Sequence, residues 1–98
     1  ISNFAYFVDK LSKINDENGP ILDTTMSMFG SACSTTHNAR NYPIVIAGGQ
    51  KLGLKGGQFL KFTEKTPLAN MYTTMLNTLG VPTNKFADNT GELTDILV

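Results

Sequence analysis

The most constraining stretch is Pro43-Ile44-Val45-Ile46-Ala47, closed by Gly48-Gly49. Four consecutive apolar residues, three of them β-branched, suit a pleated strand and resist a helix, where branching restricts χ1. The run does not alternate polar with apolar, so both faces of the strand are apolar. That pattern belongs to a central strand of a parallel sheet, covered on both sides. Pro43 is tolerated as the first residue, because there its missing N–H leaves no gap in a ladder. A strand of this kind needs neighbours, and the rest of the chain decides whether it has them.

A second strand is predicted over residues 24 to 30, Thr-Thr-Met-Ser-Met-Phe-Gly, from its β-branched start and short apolar centre. Two helices flank the strands. Over residues 3 to 17, Phe4, Phe7, Val8, Leu11 and Ile14 share one face at helical spacing, with Asn3 as the N-cap. Asn18-Gly19-Pro20 ends that helix, with glycine supplying a left-handed cap. From Thr66 to Leu79 the apolar residues Leu68, Met71, Tyr72, Met75, Leu76 and Leu79 again keep the three-four rhythm. Thr66 caps this helix, Pro67 opens it, and Gly80 with Pro82 closes it. Gln58 to Phe62 reads as a short edge strand or hairpin arm, and residues 83 to 98 as a tail with little regular structure.

This order is α/β logic. Two central strands and two helices cannot cover both faces of a parallel sheet. The expectation is therefore a single α/β segment over residues 1–98 that forms the C-terminal part of a larger domain. Its partner would be a missing N-terminal portion of the same protein or a tightly associated chain. The first residue being Ile agrees with that expectation.

Charge and cysteine content remove several function classes. Eight Lys+Arg balance eight Asp+Glu. Neutral balance with no basic cluster argues against a nucleic-acid binder, whose affinity depends on releasing phosphate counterions. The single cysteine, Cys33, excludes an intramolecular disulfide and a cysteine-based zinc finger. No apolar run approaches the ~20 residues of a transmembrane helix. No signal peptide is visible, and no Asn-x-Ser/Thr sequon occurs.

Chemistry has two places to sit. The glycine-rich stretch from Gly48 to Gly57 invites a phosphate-cradle reading, but a strand is predicted after it and no Walker or Gly-x-Gly-x-x-Gly pattern is present. A flexible connector or hairpin is the better reading. The polar loop from Ser31 to Tyr42 lies between the two strands, and holds the only His and the only Arg of the chain. In a parallel sheet such a loop reaches the carboxyl edge, where open α/β sheets bind ligands. His37 is a candidate metal ligand or general base, against the alternative of a solvent-facing surface histidine. Arg40 suits an anionic ligand or a carboxylate of its own fold. Ser31 is a third candidate for ligand binding. The loop offers serine and histidine but no acid, so no Ser-His-Asp triad can be assembled from it.

Several segments, taken in order, carry a resemblance: Ile21-Leu22-Asp23-Thr24-Thr25; Met26-Ser27-Met28-Phe29-Gly30-Ser31; His37; Asn41-Tyr42-Pro43-Ile44-Val45-Ile46-Ala47-Gly48-Gly49; Leu54-Lys55-Gly56-Gly57-Gln58-Phe59-Leu60; Thr66-Pro67-Leu68-Ala69-Asn70-Met71; and Leu79-Gly80-Val81-Pro82 with Phe86, Asp88 and Thr90-Gly91. Over residues 20 to 92 this resembles the C-terminal part of the DUF1552 family, bacterial proteins of unknown function. More distantly it is similar to the closing section of the alkaline phosphatase and sulfatase superfamily. The resemblance implies an alkaline-phosphatase-like sheet-and-helix fold, a periplasmic or secreted location and a divalent metal, with His37 near the metal-ligating position and Asn41 close by. The family pattern places an acidic residue after a serine and a second histidine in this loop. Here Thr35 follows Ser34, and no second histidine exists. The resemblance thus implies a degenerate metal site and a binding or structural role. The alternative is a metal-dependent phosphatase- or sulfatase-like hydrolase.

Overall fold

The computed structural model describes residues 1–31 and 43–98. The chain is a small mixed α/β protein; its described residues form two α-helices and two small antiparallel sheets, and it divides into two compact units, Ile1–Gly56 and Gly57–Val98.

The first unit opens with helix α1, Ser2–Lys13. Ile1 occupies the cap position without a side-chain bond, so Asn3 lies inside the helix and does not cap it. The helix stops earlier than its apolar rhythm predicts. Ile14 is already extended, and strands β1, Asn15–Asp16, and β2, Gly19–Pro20, form a tight antiparallel hairpin. Glu17-Asn18 is therefore the bend of a hairpin, and Gly19, at φ 101°, opens β2 and does not cap a helix. A short 3-10 turn, Ile21–Thr24, leads into strand β3, Met26–Gly30.

Strand β4, Ile44–Gly48, is the run predicted from sequence, displaced by one residue. It pairs with β3 in antiparallel register, from Met26↔Gly48 to Gly30↔Ile44. The expected parallel sheet is thus corrected. The apolar-on-both-faces pattern reports the need for cover, and it does not specify strand direction. The register puts Ser27, Phe29, Val45 and Ala47 on one face, and Met26, Met28, Ile44 and Ile46 on the other. Helix α1 lies toward the first of these faces, where the Phe4 and Phe29 rings sit 5.5 Å apart.

The glycines after β4 make a close turn. Gly48 has φ 88°, and a Cβ there would stand 2.3 Å from the Thr25 carbonyl oxygen. Only glycine fits that approach. Gly49 N–H donates to the Leu22 carbonyl at 2.9 Å, and Leu54 N–H folds back to the Gly49 carbonyl at 3.0 Å. This return buries Leu54, which is 5 % exposed.

The second unit is built on helix α2, Leu68–Thr78. Pro67 stands just outside it, and the Thr66 hydroxyl bonds to Thr63 at 2.9 Å without capping. The stop is as the sequence predicts. Gly80 takes φ 84°, Gly80 N–H donates to Asn77 O at 3.1 Å and Val81 N–H to Leu76 O at 2.9 Å, a Schellman cap. Gln58 to Phe62 forms no strand, and Phe59 is exposed. The closing residues are irregular apart from a 3-10 turn at Thr94–Ile96, yet they are anchored. Asn70 Oδ1 accepts from Thr90 N–H at 2.8 Å, while its Nδ2 donates to the Thr90 hydroxyl at 3.1 Å. The Thr74 hydroxyl accepts from Leu93 N–H at 2.7 Å. Ala69, Met71 and Ile96 are the buried apolar residues of this unit.

Candidate functional site

The polar loop is held at both ends by one strand pair. Gly30 and Ile44 are register partners, so β3 delivers the chain to Ser31 at the same end of the sheet where Pro43 returns it to β4. The two strands approach closely there. A Cβ on Gly30 would stand 2.3 Å from Ile44 Cδ1 and 3.2 Å from the Pro43 carbonyl oxygen. Ser31 is exposed at this base. His37, Arg40 and Asn41 lie outside the described residues, as does Cys33. Because the pair is antiparallel, the carboxyl end of β3 and the amino end of β4 lie at the same end of the sheet. The carboxyl edge of a parallel sheet, on which the sequence argument placed the site, is absent from the described residues.

Among the described residues no group of three or more His, Cys, Asp or Glu side chains is placed to hold a metal. Asp23, the nearest carboxylate upstream of the loop, lies in the 3-10 turn before β3. The glycine-rich stretch uses its amides internally. Gly49 N–H is taken by Leu22 O, Leu52 and Leu54 N–H by Gly49 O, and Gly53 N–H by Gln50 O. These four donors are turned into the fold and build a structural turn.

The exposed apolar surface of the first unit extends onto α1, which sequence reasoning missed. An amphipathic stripe such as that of α1 usually packs into a core, but no residue of α1 is buried. Phe4, Val8 and Leu11 are half-buried, while Tyr6 is 64 % and Phe7 51 % exposed. On the sheet, the cross-strand partners Phe29 and Val45 are 44 % and 42 % exposed, and Met28 on the other face is 40 % exposed. An open groove of about 450 Å³ runs along α1, lined by Ile1, Phe4, Ala5, Val8 and Ala47 with Asp9 and Ser12 beside them. The Asp9 carboxylate pairs with Lys13 Nζ at 3.0 Å on the exposed side of the helix. A signal for this surface was in the sequence. The β4 run asks for cover on two faces, and among the described residues of the first unit α1 is the one α-helix to supply it.

The second unit carries a smaller apolar groove of about 250 Å³ along α2, between Tyr72, Met75, Leu76, Leu79 and Phe86. The Tyr72 and Phe86 rings meet edge to face there, 6.2 Å apart. No helix of the described residues is long and apolar enough to cross a membrane. No family model, curated protein or solved structure matches the chain.

Proposed function

We propose that this chain supplies a binding or structural element to an exported bacterial protein of the DUF1552 type. In this reading it is the C-terminal part of an alkaline-phosphatase-like α/β domain whose metal site is degenerate. Its first unit packs against the portion of the same protein that precedes it. The observation that carries the reading is β4. This strand is apolar on both faces, it is paired along one edge among the described residues, and its central Val45 is 42 % exposed. An apolar edge of this kind, unpaired among the described residues, is a template for strand addition. Covering Tyr6, Phe7, Met28, Phe29 and Val45 would contribute on the order of 5 kcal/mol, taking about 1 kcal/mol for each half-exposed large side chain. That gain is comparable to the whole stability of a small domain, so the cover would be integral to folding.

The test compares amide hydrogen exchange at Ile44 to Ala47 in residues 1–98 and in a longer version of the protein that includes the preceding segment. The expected result is at least about tenfold slower exchange in the longer chain. Equal exchange contradicts the reading. A parallel assay of phosphate- and sulfate-ester hydrolysis with added divalent metal distinguishes the hydrolase alternative. Activity that depends on metal and is lost in His37→Ala would replace the binding role with catalysis.

A further inference from the structure

Asn18 is one of nine asparagines, and it alone is followed by glycine. The backbone nitrogen of a following residue can attack the side-chain carbonyl carbon of asparagine. Glycine obstructs that attack least, because it has no Cβ and a freely moving backbone. In the fold Asn18 is exposed at the bend between β1 and β2. Its N–H donates to Asp16 Oδ1 at 2.8 Å, and Gly19 takes φ 101°. The telling contact comes from the glycine-rich turn after β4. Lys51 Nζ donates to the Asn18 carbonyl oxygen. The same nitrogen lies 3.4 Å from where a Cβ on Gly19 would stand. That carbonyl belongs to the peptide group whose nitrogen is the Gly19 N–H. When this N–H loses its proton, the negative charge rests largely on the carbonyl oxygen, and a cation bonded there stabilises it.

We propose that Asn18-Gly19 is a self-modification site, at which Asn18 converts through a cyclic imide to aspartate and isoaspartate, and that Lys51 is the positioning residue that promotes the conversion. The Gly19 nitrogen gives its proton to solvent base and attacks Asn18 Cγ. The N–Cγ bond forms, the Cγ–Nδ2 bond breaks, and Nδ2 takes a proton from water and leaves as ammonia. Water then opens the imide at either carbonyl. The net change is one side-chain amide and one water to one carboxylic acid and one ammonia, with no change of oxidation state. Opening at Cγ yields aspartate beside the Lys51 ammonium. Opening at the backbone carbonyl yields isoaspartate, which adds a methylene to the bend and breaks the Asp16↔Gly19 and Asn15↔Pro20 register.

The test incubates the chain at mildly alkaline pH and follows each asparagine by peptide mass mapping, with Lys51→Met and Lys51→Arg beside the wild type. Circular dichroism verifies that all three are folded. In native buffer Asn18 should convert ahead of the other eight asparagines. Lys51→Met should slow that conversion by roughly tenfold, the loss of one charge-assisted hydrogen bond in the transition state. Lys51→Arg should keep most of the rate, since guanidinium also donates to the oxygen. In concentrated urea the three rates should converge, because the contact requires the fold. The proposal is overturned if Asn18 is not the first to convert, if Lys51→Met matches the wild type in native buffer, or if their difference persists in urea.

Discussion

Thr73 and Thr74 are adjacent in α2, 2 % and 0 % exposed, and the same substitution should affect them very differently. Each hydroxyl donates to the carbonyl four residues back, Thr73 to Ala69 O at 2.8 Å and Thr74 to Asn70 O at 2.9 Å. Those carbonyls also receive the ordinary helical N–H, so losing the hydroxyl does not orphan them. Thr74 alone has a second duty, accepting from Leu93 N–H at 2.7 Å and so holding the closing segment to the helix. Valine matches threonine in shape, branching and helix propensity. Thr73→Val should therefore change stability by no more than about 0.5 kcal/mol. Thr74→Val loses one net hydrogen bond, about 1 kcal/mol, and leaves the Leu93 N–H without its acceptor, which costs about 1–3 kcal/mol. Leu93 is half-buried, so water offsets part of that cost, and a difference of about 2 kcal/mol between the two variants is expected. In amide exchange read by NMR, a local loss of that size speeds exchange at Leu93 roughly thirtyfold in Thr74→Val. Urea unfolding gives the global difference. Equal destabilisation by the two variants, or unchanged Leu93 exchange in Thr74→Val, would refute the argument that this hydroxyl is the anchor.

Three further outcomes follow from the first unit. Gly48→Ala forces a Cβ to within 2.3 Å of Thr25 O at φ 88°, and should cost about 3 kcal/mol or more in urea unfolding. Gly53→Ala, at φ 96° with open space around it, should cost only about 1 kcal/mol. Asp9→Asn removes an exposed i,i+4 pair with Lys13, so its thermal unfolding should shift by the equivalent of about 0.5 kcal/mol or less. That small difference should vanish near about 1 M salt.

Local signals were the legible ones. The β4 run, the α2 rhythm and the Gly80-Pro82 stop depend on side chains within one element, and each stands within one or two residues of its expected place. Strand direction was not legible. Ile44 to Ala47 is apolar on both faces whether the neighbour runs parallel or antiparallel, and only the pairing with β3 decides. Gln58 to Phe62 has strand-like composition, yet it stays irregular with Phe59 exposed, because composition alone does not supply a ladder. The anchoring of the closing segment rests on Asn70 and Thr74 meeting residues 19 to 20 positions away. No periodicity encodes such pairings. Of the candidate site, Ser31 sits at the loop base as its place after β3 implies, while His37, Arg40 and Asn41 fall outside the described residues.

The central claim is that the first unit presents an apolar surface built to be covered. It is tested most directly by titrating residues 1–98 with a dye that fluoresces on apolar surfaces, against the double variant Phe7→Lys/Val45→Thr. Both residues are exposed, at 51 % and 42 %, so the variant should keep the far-UV circular dichroism of the parent. The account predicts saturable dye binding by the wild type and loss of most of that signal in the variant. A folded wild type that leaves the dye dark, or a variant that binds as strongly, would contradict it.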